Sequence, residues 1–214
     1  MILASKVITL VIIIFLYRIW RDLFSRNDNH HYEKLRYERL SEKRSIRLLQ
    51  LSRPFSFGPV KCELSIHRMD SRPSYEAISY TWGDPSQSRS VIINGYKLEV
   101  NSNAFNILQD RATFLRTRKI WIDSICINQV DKEEKSVQIP LMREIYSRAS
   151  RVLVWLGSQP DSRIAMGFIS NLNRRLRFGG LQGPELQTIL EIGSKSPNWP
   201  ALFSLLNHQY WTRS

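Results

Sequence analysis

Two cysteines in a chain of 214 residues, Cys62 and Cys126, are too few and too far apart for a disulfide framework. Both read as reduced thiols of a cytosolic domain. The four histidines (His30, His31, His67, His208) form no cluster with one another or with the cysteines. That leaves no zinc spacing and no Cys–His nucleophile. No Walker loop, GxSxG elbow or HExxH helix occurs, which sets aside the enzyme classes that depend on them. Acidic residues are also scarce, 19 against 31 Lys plus Arg, for a net charge of +12. Such a surplus suits a nearby anionic surface or ordinary solubility. An RNA-binding aromatic signature is missing, and no Lys/Arg block is long enough for a DNA arm, so nucleic acid is not the expected partner. What remains is a chain with 43% hydrophobic and 11% aromatic residues, enough for one α/β domain and an appendage.

The appendage is the run Ile2 to Trp20, ILASKVITLVIIIFLYRIW. At about 1.5 Å per residue it reaches about 28 Å as a helix, close to the hydrocarbon thickness of a bilayer. Lys6 and Arg18 lie near its ends, where they can snorkel, and Tyr17 and Trp20 fit an interfacial belt. No small-x-small cleavage site follows, which argues against a signal peptide. Residues 1–20 are therefore expected to be a transmembrane anchor, with membrane lipid as a partner through residues 2–20. Arg18, Arg21, Arg26, Lys34, Arg36 and Arg39 follow the span, so the positive-inside rule places the rest of the chain in the cytosol. Residues 21–44 read as a basic juxtamembrane linker lying along anionic lipid, partly helical from Glu33 to Lys43.

Residues 45–214 read as the folded domain. SIRLLQL (45–51) is a short apolar run and VKCELSI (60–66) alternates like a strand. YEAISYTW (75–82) is a strand stopped by Gly83-Asp84-Pro85. SVIINGYKLEV (90–100) is a hairpin turning on Asn94-Gly95, because both residues tolerate positive φ. Asn101-Ser102 offers an N-cap to a helix whose buried face is Ala104, Ile107, Leu108, Ala112 and Leu115. Ile120 to Asp123 is a strand. Asp131 to Ser150 is a helix with Val137, Leu141, Ile145 and Ala149 on one face, and Pro140 is expected to delay its start to Ser136 or Val137. RVLVWL (151–156) reads as a fully buried central strand, and further helices are expected at 161–176 and 199–208. The alternation predicts an α/β fold: a mostly parallel open sheet with flanking helices, TIR- or flavodoxin-like, carrying an inserted β-hairpin.

In such a sheet, ligands sit beyond the carboxyl ends of the strands. Trp82-Gly83-Asp84 follows the first parallel strand; Asp123, Cys126, Asn128 and Gln129 follow the second; Gly157 follows the third. Asp123 and Asp84 are the candidate catalytic carboxylates. Trp82, Gly83, Cys126, Asn128, Gln129 and Gly157 are the candidate ligand contacts. Each also has a purely structural alternative: Asp123 caps its loop, Cys126 is a small buried hydrophobe, and Trp82, Trp121 and Trp155 are core aromatics. Tyr146 lines the crevice or packs beneath it, and Arg143 and Arg148 are solvated.

YEAISYTWG, WIDSICINQ and QIPLMREIYSRASRVLVWLG resemble, in order and spacing, the heterokaryon incompatibility (HET) domain of filamentous fungi. SIRLLQL, KCEL and ALFSLLNHQYWTRS extend the resemblance over residues 45–214. It implies a role in fungal non-self recognition and cell-death signalling, through self-association or pairing with other HET or TIR-like domains. It also implies a distant kinship with TIR domains, some of which cleave NAD, and this makes NAD a candidate substrate; no other cofactor is indicated. Sequences of the family usually continue past the YWxR motif into a Trp and a Gln-Glu pair. This sequence stops at Ser214, so the domain is expected to be C-terminally truncated and to lack the glutamate that TIR enzymes use.

Overall fold

The computed structural model describes residues 32–42, 44–54, 58–157, 160–178, 198–208 and 210–212. The chain divides into two compact units, Met1–Lys34 and Leu35–Ser214, and the second holds the elements below. The anchor expected at residues 2–20 lies outside the described residues. Among the described residues no helix is long and apolar enough to cross a membrane.

The strands are β1 (Ser45–Ser52), β2 (Lys61–Arg68), β3 (Glu76–Tyr80), β4 (Ser88–Ile93), β5 (Tyr96–Asn101), β6 (Arg118–Trp121) and β7 (Arg151–Trp155). The helices are α1 (Ser102–Arg111), the single turn α2 (Asp123–Cys126), α3 (Lys132–Arg148), α4 (Pro160–Phe178) and α5 (Asn198–Leu206). Among the described residues, seven strands form one sheet in the order β5-β4-β2-β1-β6-β3-β7.

The sheet is mixed, which corrects the expectation of a mostly parallel one. β3 runs parallel to both β6 and β7, and β2 pairs briefly in parallel with β4. β1 runs antiparallel to β2 and to β6, and β4 to β5. The short link between β1 and β2 imposes their antiparallel pairing, since a parallel crossover needs a dozen or more residues. β1 is thereby the central strand. Ile46, Leu48, Leu49 and Leu51 are fully buried in it, each stabilising the fold by roughly 1.5–3 kcal/mol. The three parallel strands alone run second-first-third in chain order, the order in which flavodoxin-like sheets begin.

The hairpin forms as its turn chemistry requires. Asn94 and Gly95 have φ of 53° and 81°, and Ile93 pairs with Tyr96. Asn94 does more than turn the chain: its amide group accepts from Leu64 N and donates to Leu64 O, both at 2.9 Å, and so ties the hairpin to β2. The Asn101 side chain caps α1 by accepting from Ala104 N at 2.7 Å. Ala104, Ile107, Leu108 and Ala112 are buried, but Leu115 lies beyond the end of α1 and is exposed.

Four further expectations change. Residues 35–42 contain no helix; Leu35 and Tyr37 pack against the core. β7 is an edge strand, so Val152 and Val154 are partly exposed rather than central. α3 starts at Lys132, capped by Asp131, and runs through Pro140. Ser136 and Pro140 are both exposed, so water can serve the carbonyl that the proline leaves without an amide partner. On the same helix Val137 is 48% exposed, and its neighbour Gln138 is buried instead. Gln138 Nε2 donates to Ser45 O at 2.9 Å, where β1 begins.

Replacing Pro140 by Ala restores an internal amide donor to α3. Urea unfolding of Pro140→Ala is expected to show a gain of about 1–3 kcal/mol, and an unchanged or lowered midpoint would contradict this account of the helix.

Candidate functional site at the carboxyl ends of three parallel strands

The register brings the three sequence signatures to one rim. Tyr80 on β3 is level with Trp155 on β7, so Trp82 and Gly157, each two residues further on, leave the sheet side by side. β6 flanks β3 on the other side and delivers Asp123 to α2. Trp82 Nε1 donates to Asp123 Oδ2 at 3.1 Å, which joins the first signature to the second directly. Trp82 is 46% exposed, so it is not a core aromatic. Trp121 is: it is fully buried and meets the Tyr146 ring edge-on, with centroids 5.4 Å apart. Tyr146 packs beneath the rim and donates to Ile78 O. Trp155 is half-buried, with its Nε1 donating to Asp110 Oδ2.

Gly83 adopts φ of 78°, and a Cβ there would lie 2.8 Å from Asn103 Nδ2. Asn103 Nδ2 donates to Thr81 O, so α1 grips the backbone where β3 ends. Only glycine fits that combination of left-handed backbone and close approach. Gly157 also has positive φ, at 91°. The Asp84 carboxylate accepts from Ser86 N at 2.9 Å, and the Ser86 hydroxyl, then this backbone N–H, hold it below the usual carboxylate range in its turn.

Asp123 opens α2. Its Oδ1 accepts from Ser124 N at 2.7 Å and its backbone carbonyl accepts from Gln129 Nε2 at 2.8 Å, so Gln129 folds back over the turn. Cys126 lies in the core, with Ile122 N donating to its Sγ. Burial pushes its thiol up to about 12, and Cys62 up to about 12 for the same reason. The Asn128 backbone N–H donates to Glu134 Oε1 at 2.7 Å, and its side-chain oxygen accepts from Val130 N.

Several residues of this region went unrecognised in the sequence. Tyr80 donates to Ser124 Oγ at 2.6 Å and accepts from Asn101 Nδ2, so β3, β5 and α2 meet at one phenol. Burial and the neighbouring Asp123 raise its pKa above the usual phenol range. Tyr210 donates to Ser79 Oγ at 2.9 Å, which ties Tyr210 to β3. Beneath the rim, Arg47 on β1 is only 2% exposed. Its Nη1 and Nη2 donate to Glu134 Oε1 and Oε2 at 2.6 and 2.8 Å, a two-pronged ion pair. Nη2 also donates to Glu38 O, Nη1 to Cys126 O, and the guanidinium lies over the Tyr37 ring. Tyr37 in turn donates to Ile125 O at 2.9 Å. One signal was available: a lone arginine inside the apolar run SIRLLQL requires a buried partner. Arg148, read as solvated, is exposed and also bridges Glu144 and Met69 O. Among the described residues no group of His, Cys, Asp and Glu is placed to hold a metal ion.

The rim therefore presents an exposed indole, a carboxylate hydrogen-bonded to it and two glycines with positive φ. A family model described as "Heterokaryon incompatibility protein (HET)" matches residues 75–214. The chain is 42% identical to "Heterokaryon incompatibility protein 6, OR allele" of Neurospora crassa across 42% of this chain. That match spans 15% of the relative's length. No solved structure matches.

The raised thiol pKa values set a pH dependence. Below about 9, their ordinary value, both thiols are protonated folded or unfolded and favour neither state by ionising. As pH rises from about 9 toward 12 the unfolded thiols ionise first, and stability is lost. At neutral pH a disulfide reagent is expected to label neither cysteine in the native protein and both in concentrated guanidinium; rapid native labelling of Cys126 would place that thiol at the surface.

Proposed function

We propose a part in fungal non-self recognition, from the premise that this chain belongs to the heterokaryon incompatibility (HET) family. The module acts by association, pairing through the rim with a second copy or with another HET or TIR-like domain. The observation that carries this reading is Trp82, 46% exposed yet held by Asp123 and by the left-handed turn at Gly83. A rigid, half-exposed indole loses little side-chain entropy on docking, which is why tryptophans dominate interface energetics. Residues 2–20 anchor the module in a membrane, and the basic residues after them hold it to the cytosolic leaflet. Confinement to a membrane raises the effective concentration of neighbouring copies and so favours weak pairwise contacts.

A second reading rests on the Trp82–Asp123 pair itself. A carboxylate beside an indole at a strand end suits an NAD-cleaving hydrolase, in which Asp123 stabilises the oxocarbenium-like transition state at the ribose. Asp84 is the other carboxylate of that rim, and its bond to Ser86 N assigns it to the turn.

Two measurements on the full chain in neutral detergent separate the readings. Trp82→Ala is expected to weaken self-association, followed by sedimentation, by at least about tenfold while the far-ultraviolet spectrum stays unchanged. Association equal to that of the unaltered chain would overturn the docking role of the rim. Incubation with NAD is expected to release no nicotinamide; turnover abolished by Asp123→Asn would replace this reading with the enzymatic one.

A further inference from the structure

The opposite end of the parallel strands carries a different chemistry. A groove of about 500 Å³ opens where β3, β6 and β7 begin. Arg116, Arg118, Lys119 and Arg151 line it, together with Glu76. Glu76 brings one negative charge against these four cations, and both its oxygens are engaged: Oε2 accepts from Arg111 Nη2 at 2.7 Å and Oε1 from Arg118 Nη1 at 3.2 Å, so the positive excess remains. Glu76 therefore acts as a brace. It holds Arg118 in the groove wall, while Arg116, Lys119 and Arg151 remain exposed at the mouth. Burial, and then the nearby Arg111, Arg116 and Arg151, pull the Arg118 guanidinium below its ordinary range, which places these cations within electrostatic reach of one another. Like charges gathered in a concave site repel until an anion joins them, and low-dielectric walls focus their field outward. Guanidinium forks match phosphate oxygens in pairs, as carboxylate and phosphate recognition elsewhere demands.

We propose that this groove is a binding site for a ligand with clustered phosphate groups, held by Arg116, Arg118 and Arg151 with Lys119 as an added point charge. The shared chemistry is a pair or more of neighbouring phosphates, carried either by a soluble polyphosphate or by a phosphoinositide headgroup. The groove lies at the far end of the strands from Trp82 and Asp123, so the site is independent of the association proposed for the rim.

The test uses the full chain in neutral detergent micelles, titrated calorimetrically with inorganic tripolyphosphate. Saturable binding is expected, weakened at least about tenfold in the double variant Arg116→Glu with Arg151→Glu, since charged hydrogen bonds are lost at both positions. The double variant Lys132→Glu with Arg143→Glu carries the same net charge and is expected to bind within about twofold of the unaltered chain. Equal loss in both double variants, or no saturable binding in the unaltered chain, would overturn the site. Arg116→Gln with Arg151→Gln supplies a milder pair should charge reversal disturb folding, and full-strength binding in that pair also overturns it. Competition by micellar phosphatidylinositol bisphosphate supports the site and identifies the headgroup as its source of phosphate; saturable tripolyphosphate binding without that competition supports it with a soluble ligand.

Discussion

Beneath the WIDSICINQ turn, the guanidinium of Arg47 and the carboxylate of Glu134 are removed from water together. Burying either alone costs several kcal/mol, so each is tolerable only with the other in place. Their partners show what the pair organises. Arg47 reaches the Cys126 carbonyl at the end of α2 and the Glu38 carbonyl in the segment before β1. Glu134 reaches the Asn128 amide just after α2. Central strand, short helical turn, long helix and entering segment are thus fixed to one ion pair. Tyr37 seals it from one side, stacking on the guanidinium and bonding to Ile125 O. Such a pair adds little net stability over a hydrophobic equivalent, so its use here is to set position.

Position is what the rim needs. Asp123 meets Trp82 because β6 ends beside β3 and because α2 starts at a fixed angle above the Arg47–Glu134 pair. Tyr80 and Gln129 hold the same turn from above, through Ser124 Oγ and Asp123 O. The indole is consequently exposed yet hydrogen-bonded in place, the property on which an association surface or a ribose-contacting site would draw. At the other end of the same strands Glu76 uses its carboxylate to brace two arginines, leaving cations to face outward. One three-stranded parallel segment thus presents an aromatic and acidic rim at its carboxyl ends and a basic groove at its amino ends.

Much of this was legible in the residues. Asn94-Gly95 specified its hairpin and Asn101 its cap, because each depends on local backbone chemistry. The meeting of Trp82, Asp123 and Gly157 was legible only on the condition that their strands are neighbours, and the pairing of β3 with β6 and β7 meets that condition. The central place of β1 was not legible, because periodicity in SIRLLQL does not say which strands lie on either side. RVLVWL looked central for the complementary reason: an apolar run suits an interior strand, and only the topology makes β7 an edge. Gln138 and Glu134 sat on a helix whose buried face was assigned from apolar spacing. A buried polar residue whose partner is distant in sequence leaves no periodic trace.

Amide hydrogen exchange at Asn128 in the double variant Arg47→Met with Glu134→Met tests the ion pair most directly. Paired apolar replacement leaves no orphan charge, so the chain is expected to remain folded, with protection in β1 and β3 close to that of the unaltered protein. The Asn128 amide, deprived of its carboxylate acceptor, is expected to exchange at least about tenfold faster, and the turn around Asp123 with it. Unchanged protection at Asn128 in a folded double variant would contradict the account, since the rim would then be held in place by something other than Arg47 and Glu134.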